Sequence, residues 1–258
     1  MVIDSHCHLN YRGLVEDQPA VLRRAREAGV KGFLNISTRR SEWRDVVATA
    51  DREADVWASI GIHPHEADAH LDLDEDTLKN AASHPEVIGL GETGLDYFYE
   101  HSNRAAQQIL FRRHIAAARD LDLPIIIHTR DAEDDTAVIL QEELGRGPFR
   151  ALIHCFTGTP AFGRHVLELG LSISLSGIVT FKNAKALQDL AAEVPADRLL
   201  LETDSPFLAP VPHRGKICEP AFIRHTSDFL ADLRGESVER LEARTTENFF
   251  NLFDKAAA

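Results

Sequence analysis

Cysteine, methionine and basic side chains are scarce in this 258-residue chain. The three cysteines, Cys7, Cys155 and Cys218, cannot all pair and follow no framework spacing. That excludes a disulfide-stapled secreted scaffold and points to a reducing compartment, the cytoplasm. No apolar run nears the roughly 20 residues of a membrane helix, and no basic segment leads into an apolar core as an export signal would, so no membrane partner is expected. Lys and Arg total 28 against 41 Asp and Glu, a formal charge of −13. Such a chain has no broad basic face for coating nucleic acid, because neutralising many phosphates takes clustered cations. A small positive pocket is compatible with it. Fixed-period repeats and low-complexity linkers are missing too, and no obligate protein partner is evident. With 44% hydrophobic and 27% charged residues, the chain suits one domain over residues 1–258.

What is present is a rhythm of short aliphatic runs alternating with longer amphipathic stretches. The runs predict strands at Val2–Asp4, Lys31–Ile36, Val56–Ile60, Val87–Leu90, Pro124–Ile127, Ala151–Ile153, Leu171–Leu175 and Arg198–Leu201. Eight strands in about 250 residues match a closed (β/α)8 TIM barrel, an α/β fold. Ser102–Leu121 predicts a long helix capped by Ser102 and stopped at Asp122-Leu123-Pro124. Ser237–Phe253 predicts a last helix lying across the outside of the barrel. An open doubly wound sheet is the competing architecture. Its fingerprint is missing, since Gly89-Leu90-Gly91-Glu92-Thr93-Gly94 departs from G-x-G-x-x-G and would aim a carboxylate at any phosphate.

Barrel enzymes build their sites from the carboxyl ends of the strands. At those ends stand His6 and His8, then His63 and His65, then Glu92, His128, His154 and Asp204. In extended chain, residues i and i+2 share a face, so His6 and His8 point inward together while Cys7 points away into packing. One strand-end histidine is ordinarily a hydrogen-bonded core residue. Four imidazoles and two carboxylates gathered together are costly to desolvate unless cations hold them. This donor number exceeds one tetrahedral ion and predicts two divalent ions bridged by a carboxylate. His6, His8 and Asp204 are assigned to one ion, His128 and His154 to the other, and Glu92 to both. His65 reads as a turn residue beside Pro64. His70, His84, His101, His114, His165 and His225 fall on predicted helices or outer turns, where surface or packing roles suffice.

Six blocks in order carry a resemblance: D-S-H-C-H-L from Asp4, G-I-H-P-H from Gly61, G-E-T-G-L-D-Y from Gly91, I-I-I-H-T-R-D from Ile125, H-C-F-T-G from His154 and L-E-T-D-S-P-F-L-A-P from Leu201. Together they resemble the TatD family of metal-dependent deoxyribonucleases over nearly the whole chain. The resemblance implies a (β/α) barrel of the metal-dependent hydrolase superfamily with ligands at His6, His8, Glu92, His128, His154 and Asp204. Reading the strand ends selects the same six. One departure is visible: the loop Pro212–Pro220 ends I-C-E-P where the family more often reads R-N-E-P. Phosphate contacts from Ile217 and Cys218 are thereby put in doubt, leaving Arg214 and Lys216 as candidate phosphate binders.

These residues point to hydrolysis of phosphodiester bonds, with removal of nucleotides from a DNA end or a short single strand as the expected reaction. Glu92 is the expected bridge, Asp204 the group that orients the attacking water and takes its proton, and His63 a hydrogen-bond donor to the phosphate or leaving oxygen. Such a loaded site carries about +1 charge within an acidic protein and favours a footprint of a few nucleotides. Donor softness admits Zn²⁺ or Mn²⁺, and the carboxylates and phosphate admit Mg²⁺. Two other readings stand beside this one. The first is hydrolysis of another ester or amide on the same site, such as an aminoacyl-tRNA ester or a lactone. The second is a metal-stabilised scaffold without turnover.

Overall fold

A computed structural model describes residues 1–257. Eight parallel strands follow one another round a single sheet: β1 (Val2–Cys7), β2 (Val30–Asn35), β3 (Val56–Ile60), β4 (Val87–Asp96), β5 (Ile125–Arg130), β6 (Ala151–Ile153), β7 (Ser172–Leu175) and β8 (Leu199–Leu201). The order never reverses, so the sheet has no switch point of the doubly wound kind. The seam between β8 and β1 closes just beyond β8, where Cys7 bridges Ser205, Asp204 N–H donates to His6 O at 2.9 Å and His8 N–H donates to Ser205 O at 2.8 Å. The helices between strands are α1 (Gln18–Glu27), α2 (Trp43–Arg52), α3 (Glu75–Ala82), α4 (Arg104–Leu121), α5 (Glu133–Arg146), α6 (Pro160–Glu168) and α7 (Lys185–Glu193), followed by α8 (Ile223–Arg234) and α9 (Val238–Leu252). No described helix is long and apolar enough to cross a membrane.

The period-two alternation of the strands separates two apolar layers. Ile125 and Ile127, Ala151 and Ile153, and Leu199 and Leu201 face the helices, while Ile126, Leu152 and Leu200 face the bore. Continuing the inward parity by two residues gives His128, His154 and Glu202. The bore therefore has an aliphatic floor and a polar mouth. Phe249, Leu252 and Phe253 pack on that floor. The last helix thus closes the amino-terminal end of the bore, which corrects the expectation that it only lies across the outer wall. Its aromatic face joins Ile3, Leu34, Ile88, Ile126, Leu152 and Leu200 there in one apolar cluster.

The predicted strands fall in the right places, but three run further toward the mouth: β1 to Cys7, β4 to Asp96 and β5 to Arg130. Glycines hide the extension of β4, because they carry little strand propensity. Here they permit close approach. A Cβ on Gly94, whose φ is +139°, would sit 2.0 Å from the His128 carbonyl oxygen, and one on Gly61 would sit 2.3 Å from the Gly91 carbonyl carbon. Asn103, not Ser102, caps α4, accepting from Ala105 N–H, while Ser102 Oγ donates to His65 O. The helix ends at Asp122 in the left-handed region, φ 53°, just before Leu123-Pro124.

His114 on α4 shows what an ordinary buried histidine looks like. Its Nδ1–H donates to Leu110 O at 2.7 Å, and its Nε2 accepts from Ile62 N–H at 3.2 Å, steadying the loop that leads to His63. Burial pushes its pKa down to about 4.

Two predictions follow from this packing. Gly94→Ala is expected to lose about 3 kcal/mol or more in urea unfolding, since both the backbone region and the space forbid a Cβ; a loss under about 1 kcal/mol would contradict the close approach. His114 stays neutral in the folded chain while its unfolded counterpart takes a proton, so stability is full above about pH 6.5 and falls as pH drops toward 4, by roughly 3 kcal/mol. Comparing pH-dependent unfolding of the parent and His114→Gln checks this. The variant should lack that part of the slope, and parallel curves would refute the assignment.

Candidate metal centre

The mouth gathers the other five expected ligands around one carboxylate. Glu92, buried on β4, turns its two oxygens to different neighbours. Oε1 lies 2.8 Å from His154 Nε2, 3.1 Å from His128 Nδ1 and 3.5 Å from His63 Nε2. Oε2 lies 3.4 Å from His6 Nε2 and 3.8 Å from His8 Nε2. Asp204 Oδ1 closes the second group at 3.4 Å from His8 Nε2 and 3.7 Å from His6 Nε2, and the two imidazole nitrogens are 3.3 Å apart. The H-x-H face relation is realised as read, with Cys7 turned away and its thiol on Leu34 O.

Several ring tautomers follow from what lies behind the nitrogens. His8 Nδ1–H donates to Ile36 O at 3.2 Å, leaving the Nε2 lone pair for the site. His128 is reversed: Nε2–H donates to Asp96 Oδ2 at 3.1 Å, and Nδ1 faces Glu92. His154 turns Nδ1 toward Glu202 Oε1 at 3.5 Å. His63 differs from these. Its Nδ1 accepts the His65 N–H at 3.1 Å, so a neutral ring carries its proton on Nε2 and presents a donor to the site, not a lone pair. Burial holds the His63 pKa well below the ordinary value, which keeps the ring neutral.

The electrostatics call for positive charge. Burial alone would raise the Glu92 carboxyl, but the surrounding imidazoles outweigh it and hold its pKa well below the usual range. His8, His128 and His154 are shifted upward despite burial, because Asp204, Asp96 and Glu92 respectively, each against its imidazole, outweigh the desolvation. His6 is shifted the other way by burial and by His154, whose ring stacks on it, and a cation competes with a proton for the same lone pairs. The donors also fit in type, and those of the His6, His8, Glu92 and Asp204 group fit in spacing. Two ligands held about 2.1 Å from one tetrahedral ion lie about 3.4 Å apart, close to the 3.3 to 3.8 Å within that group, and imidazole nitrogen with carboxylate oxygen suits Zn²⁺, Mn²⁺ or Mg²⁺.

Three acidic residues behind the ligands escape a reading of strand ends. Asp96 Oδ2 accepts from His128 Nε2 and, at 2.8 Å, from His65 Nε2. His65 does begin the turn after Pro64, but its ring lines the cavity and shares Asp96 with a ligand, which is more than a turn position requires. Glu202 sits fully buried beneath His154, with Oε2 accepting from Ser174 Oγ. Asp4 accepts from His6 N–H, Thr203 N–H and Thr203 Oγ–H, tying β1 to the segment that carries Asp204. Burial raises the Asp4 carboxyl to about 8 against those hydrogen bonds. The missed signal is the i, i+2 rule itself: Asp4 precedes His6, Glu202 precedes Asp204, and Asp96 follows Glu92 by two such steps.

A cavity of about 850 Å³ opens above the centre. Arg39 and Arg130 line it, whereas Arg214 and Lys216 do not; the Arg214 guanidinium instead stacks 4.3 Å above the Phe181 ring. At the departure in the same loop, Ile217 is exposed and Cys218 is buried with its N–H on Pro206 O. His101 stacks on Tyr99, and His225 pairs with His213 at 3.0 Å, both apart from the six.

A sequential eight-stranded parallel barrel with this nitrogen and carboxylate cluster at its mouth defines a metal-dependent hydrolase of the TIM-barrel class. The chain belongs to the family described as TatD related DNase, whose sequence profile matches residues 3–254. It is 44% identical to the "Uncharacterized metal-dependent hydrolase YcfH" of Escherichia coli (strain K12), over 98% of this chain and 95% of that protein. It is 34% identical to the "3'-5' ssDNA/RNA exonuclease TatD" of Pantoea ananatis (strain LMG 20103), over 98% and 99% of the two chains. The crystal structure of YjjV, a TatD homologue from Escherichia coli K12, superposes with a TM-score of 0.91 at 29% identity, covering 98% of each chain.

Because Asp96 holds the His128 ring from behind, Asp96→Asn is expected to weaken divalent-metal binding about 10- to 100-fold by calorimetric titration of the chelated protein. Affinity within about twofold of the parent would show that the carboxylate does not orient this ligand.

Proposed function

We infer that the protein is a phosphodiesterase that removes nucleotides from DNA ends, a 3′–5′ exonuclease working through two divalent cations. The observation that carries this reading is the division of Glu92, one oxygen toward His128, His154 and His63 and the other toward His6 and His8, against which Asp204 also stands. That division suits a carboxylate shared by two cations better than a single closed structural site. The name of the Pantoea relative, a single-strand DNA and RNA exonuclease, supports the same substrate class.

Bound there, divalent ions supply Lewis acidity toward phosphoryl oxygens and lower the pKa of a water. His6, His8, Glu92, His128, His154 and Asp204 would hold them. Asp204, partly open to the cavity, orients the attacking water and accepts its proton at a carboxylate oxygen. The water oxygen bonds to phosphorus as the bond to the 3′ oxygen breaks. His63 supports departure by hydrogen bonding from Nε2, the nitrogen its His65 contact leaves protonated. The apolar floor keeps bulk water from reaching the ligands from below. With cations bound the centre would be positive within a chain of net charge −13, which favours a short contact with a strand end. Arg214 and Lys216 enter this reading as outer phosphate contacts for the trailing strand.

The test is cleavage of a labelled single-stranded oligonucleotide by chelated protein reloaded with Mg²⁺, Mn²⁺ or Zn²⁺. Asp204→Asn is expected to lower kcat about 10²- to 10⁴-fold, and Glu92→Ala to abolish turnover. Failure of the parent on every oligonucleotide with every metal, together with turnover of an aminoacyl ester or lactone, would reject the nuclease reading. Undiminished activity of Glu92→Ala would reject the shared carboxylate.

A further inference from the structure

Buried polar side-chain atoms are almost all paired in this protein, and the exceptions gather at the centre. Among the described residues, His6 Nδ1, His154 Nδ1, Glu202 Oε1 and Ser205 Oγ are buried without a hydrogen-bond partner. Three of the four belong to one cluster, for His6, His154 and Glu202 each bring a nitrogen or oxygen within 4.8 Å of the other two. The His6 and His154 rings stack at 3.8 Å with 9° between their planes. Both turn Nε2 to Glu92, His6 at 3.4 Å from Oε2 and His154 at 2.8 Å from Oε1. A neutral ring whose Nε2 faces a cation keeps its proton on Nδ1, and a buried N–H needs an acceptor.

Glu202 is built to be that acceptor. It is fully buried at the end of β8, and its Oε2 is already taken by the Ser174 hydroxyl of β7. Its own N–H donates to Leu175 O at 3.2 Å, which fixes the residue further and leaves Oε1 for the rings. Among the described residues no Lys or Arg pairs with it, and its one partner of that kind is His154 Nδ1 at 3.5 Å. A carboxylate buried this deeply is costly unless such donors meet it. The two rings above it belong to different groups. His6 stands with His8 and Asp204, and His154 shares Glu92 Oε1 with His128.

We propose that Glu202 is a positioning residue shared by both halves of the centre, its Oε1 accepting from the Nδ1–H of His154 directly and from that of His6 through one bridging water. Glu92 joins the two groups from within; Glu202 joins them from behind. Holding both Nδ1 protons aims both Nε2 lone pairs at the cations, so each ion depends on the same buried carboxylate. The proposal rests on the two-cation reading and extends it to a residue outside the ligand set.

The test titrates chelated protein with Zn²⁺ by calorimetry. Glu202→Met is expected to weaken both equivalents about 10- to 100-fold, whereas Asp96→Asn acts mainly on the equivalent that holds His128. Glu202→Gln keeps an oxygen for the rings without the charge. It should weaken both equivalents by a smaller factor, roughly three- to ten-fold, and decides alone should the Met variant not fold. Nuclear magnetic resonance of the Zn²⁺-loaded protein with isotope-labelled histidine supplies a second readout. Slowly exchanging Nδ1–H signals of His6 and His154 are expected in the parent and in Glu202→Gln and should be lost in Glu202→Met. Those of His8 on Ile36 O and His128 on Asp96 should persist in all three. Loss of all four signals would mean general damage to the mouth and would overturn the proposal. Affinities within twofold of the parent, or weakening of one equivalent alone, would overturn it too. So would a third equivalent of Zn²⁺ in the parent that Glu202→Gln removes, since the cluster would then be a cation site itself. A single equivalent in the parent would reject the two-cation reading, while paired loss of the His6 and His154 signals would still support the shared contact. Neither readout uses turnover, so a parent that cleaves no strand sinks the exonuclease reading alone.

Discussion

A single buried carboxylate organises this protein. Glu92 sits at the mouth of the bore with an aliphatic floor below it, where an ionised oxygen pair without counter-charge would be far too costly to hold. Four imidazoles turn nitrogens toward it, and three of them have acceptors behind them. Ile36 O stands behind His8, Asp96 behind His128 and Glu202 behind His154. The requirement spreads outward in shells from one charge. It fixes which nitrogen of His8, His128 and His63 carries a proton, and so separates rings that turn a lone pair to the mouth from the one that turns a donor to it.

The barrel meets this requirement by parity. Inward positions of β5, β6 and β8 are aliphatic for one step and polar for the next, so the same alternation that packs the floor delivers His128, His154 and Glu202 to the mouth. Closing the sheet through residues 203–205 brings the first and last strands together at the level of His6 and Asp204. The glycines of β4 let its backbone pass close to β3 and β5, without which Glu92 would not reach both groups of nitrogens. Stability and site assembly are therefore joined at Gly61, Gly91 and Gly94.

Much of this was legible from residue order. The strand starts, the eight-fold rhythm, the inward pairing of His6 and His8, and the gathering of His6, His8, Glu92, His128, His154 and Asp204 at one mouth all come from period-two reasoning and the position of donors after aliphatic runs. The extension of β4 was not legible, since three glycines mask a strand whose geometry depends on its neighbours. The aromatic face of α9 was read as an outer stripe because periodicity says that a face is buried, not what it is buried against. Asp96, Glu202 and Asp4 could have been found by applying the i, i+2 relation to carboxylates as it was applied to histidines.

What the sequence by itself determined was composition along each strand: which residues share a face, where apolar gives way to polar, and which side chains can ligate or titrate. Those are local properties, set by backbone periodicity and side-chain chemistry. The tertiary structure alone decided how the shared faces meet. Only closure of the sheet could divide the oxygens of Glu92, turn His63 into a donor through the His65 amide, and bring His6 and His154 together beside Glu202. These relations join residues far apart in the chain, and no local preference encodes a distance between them.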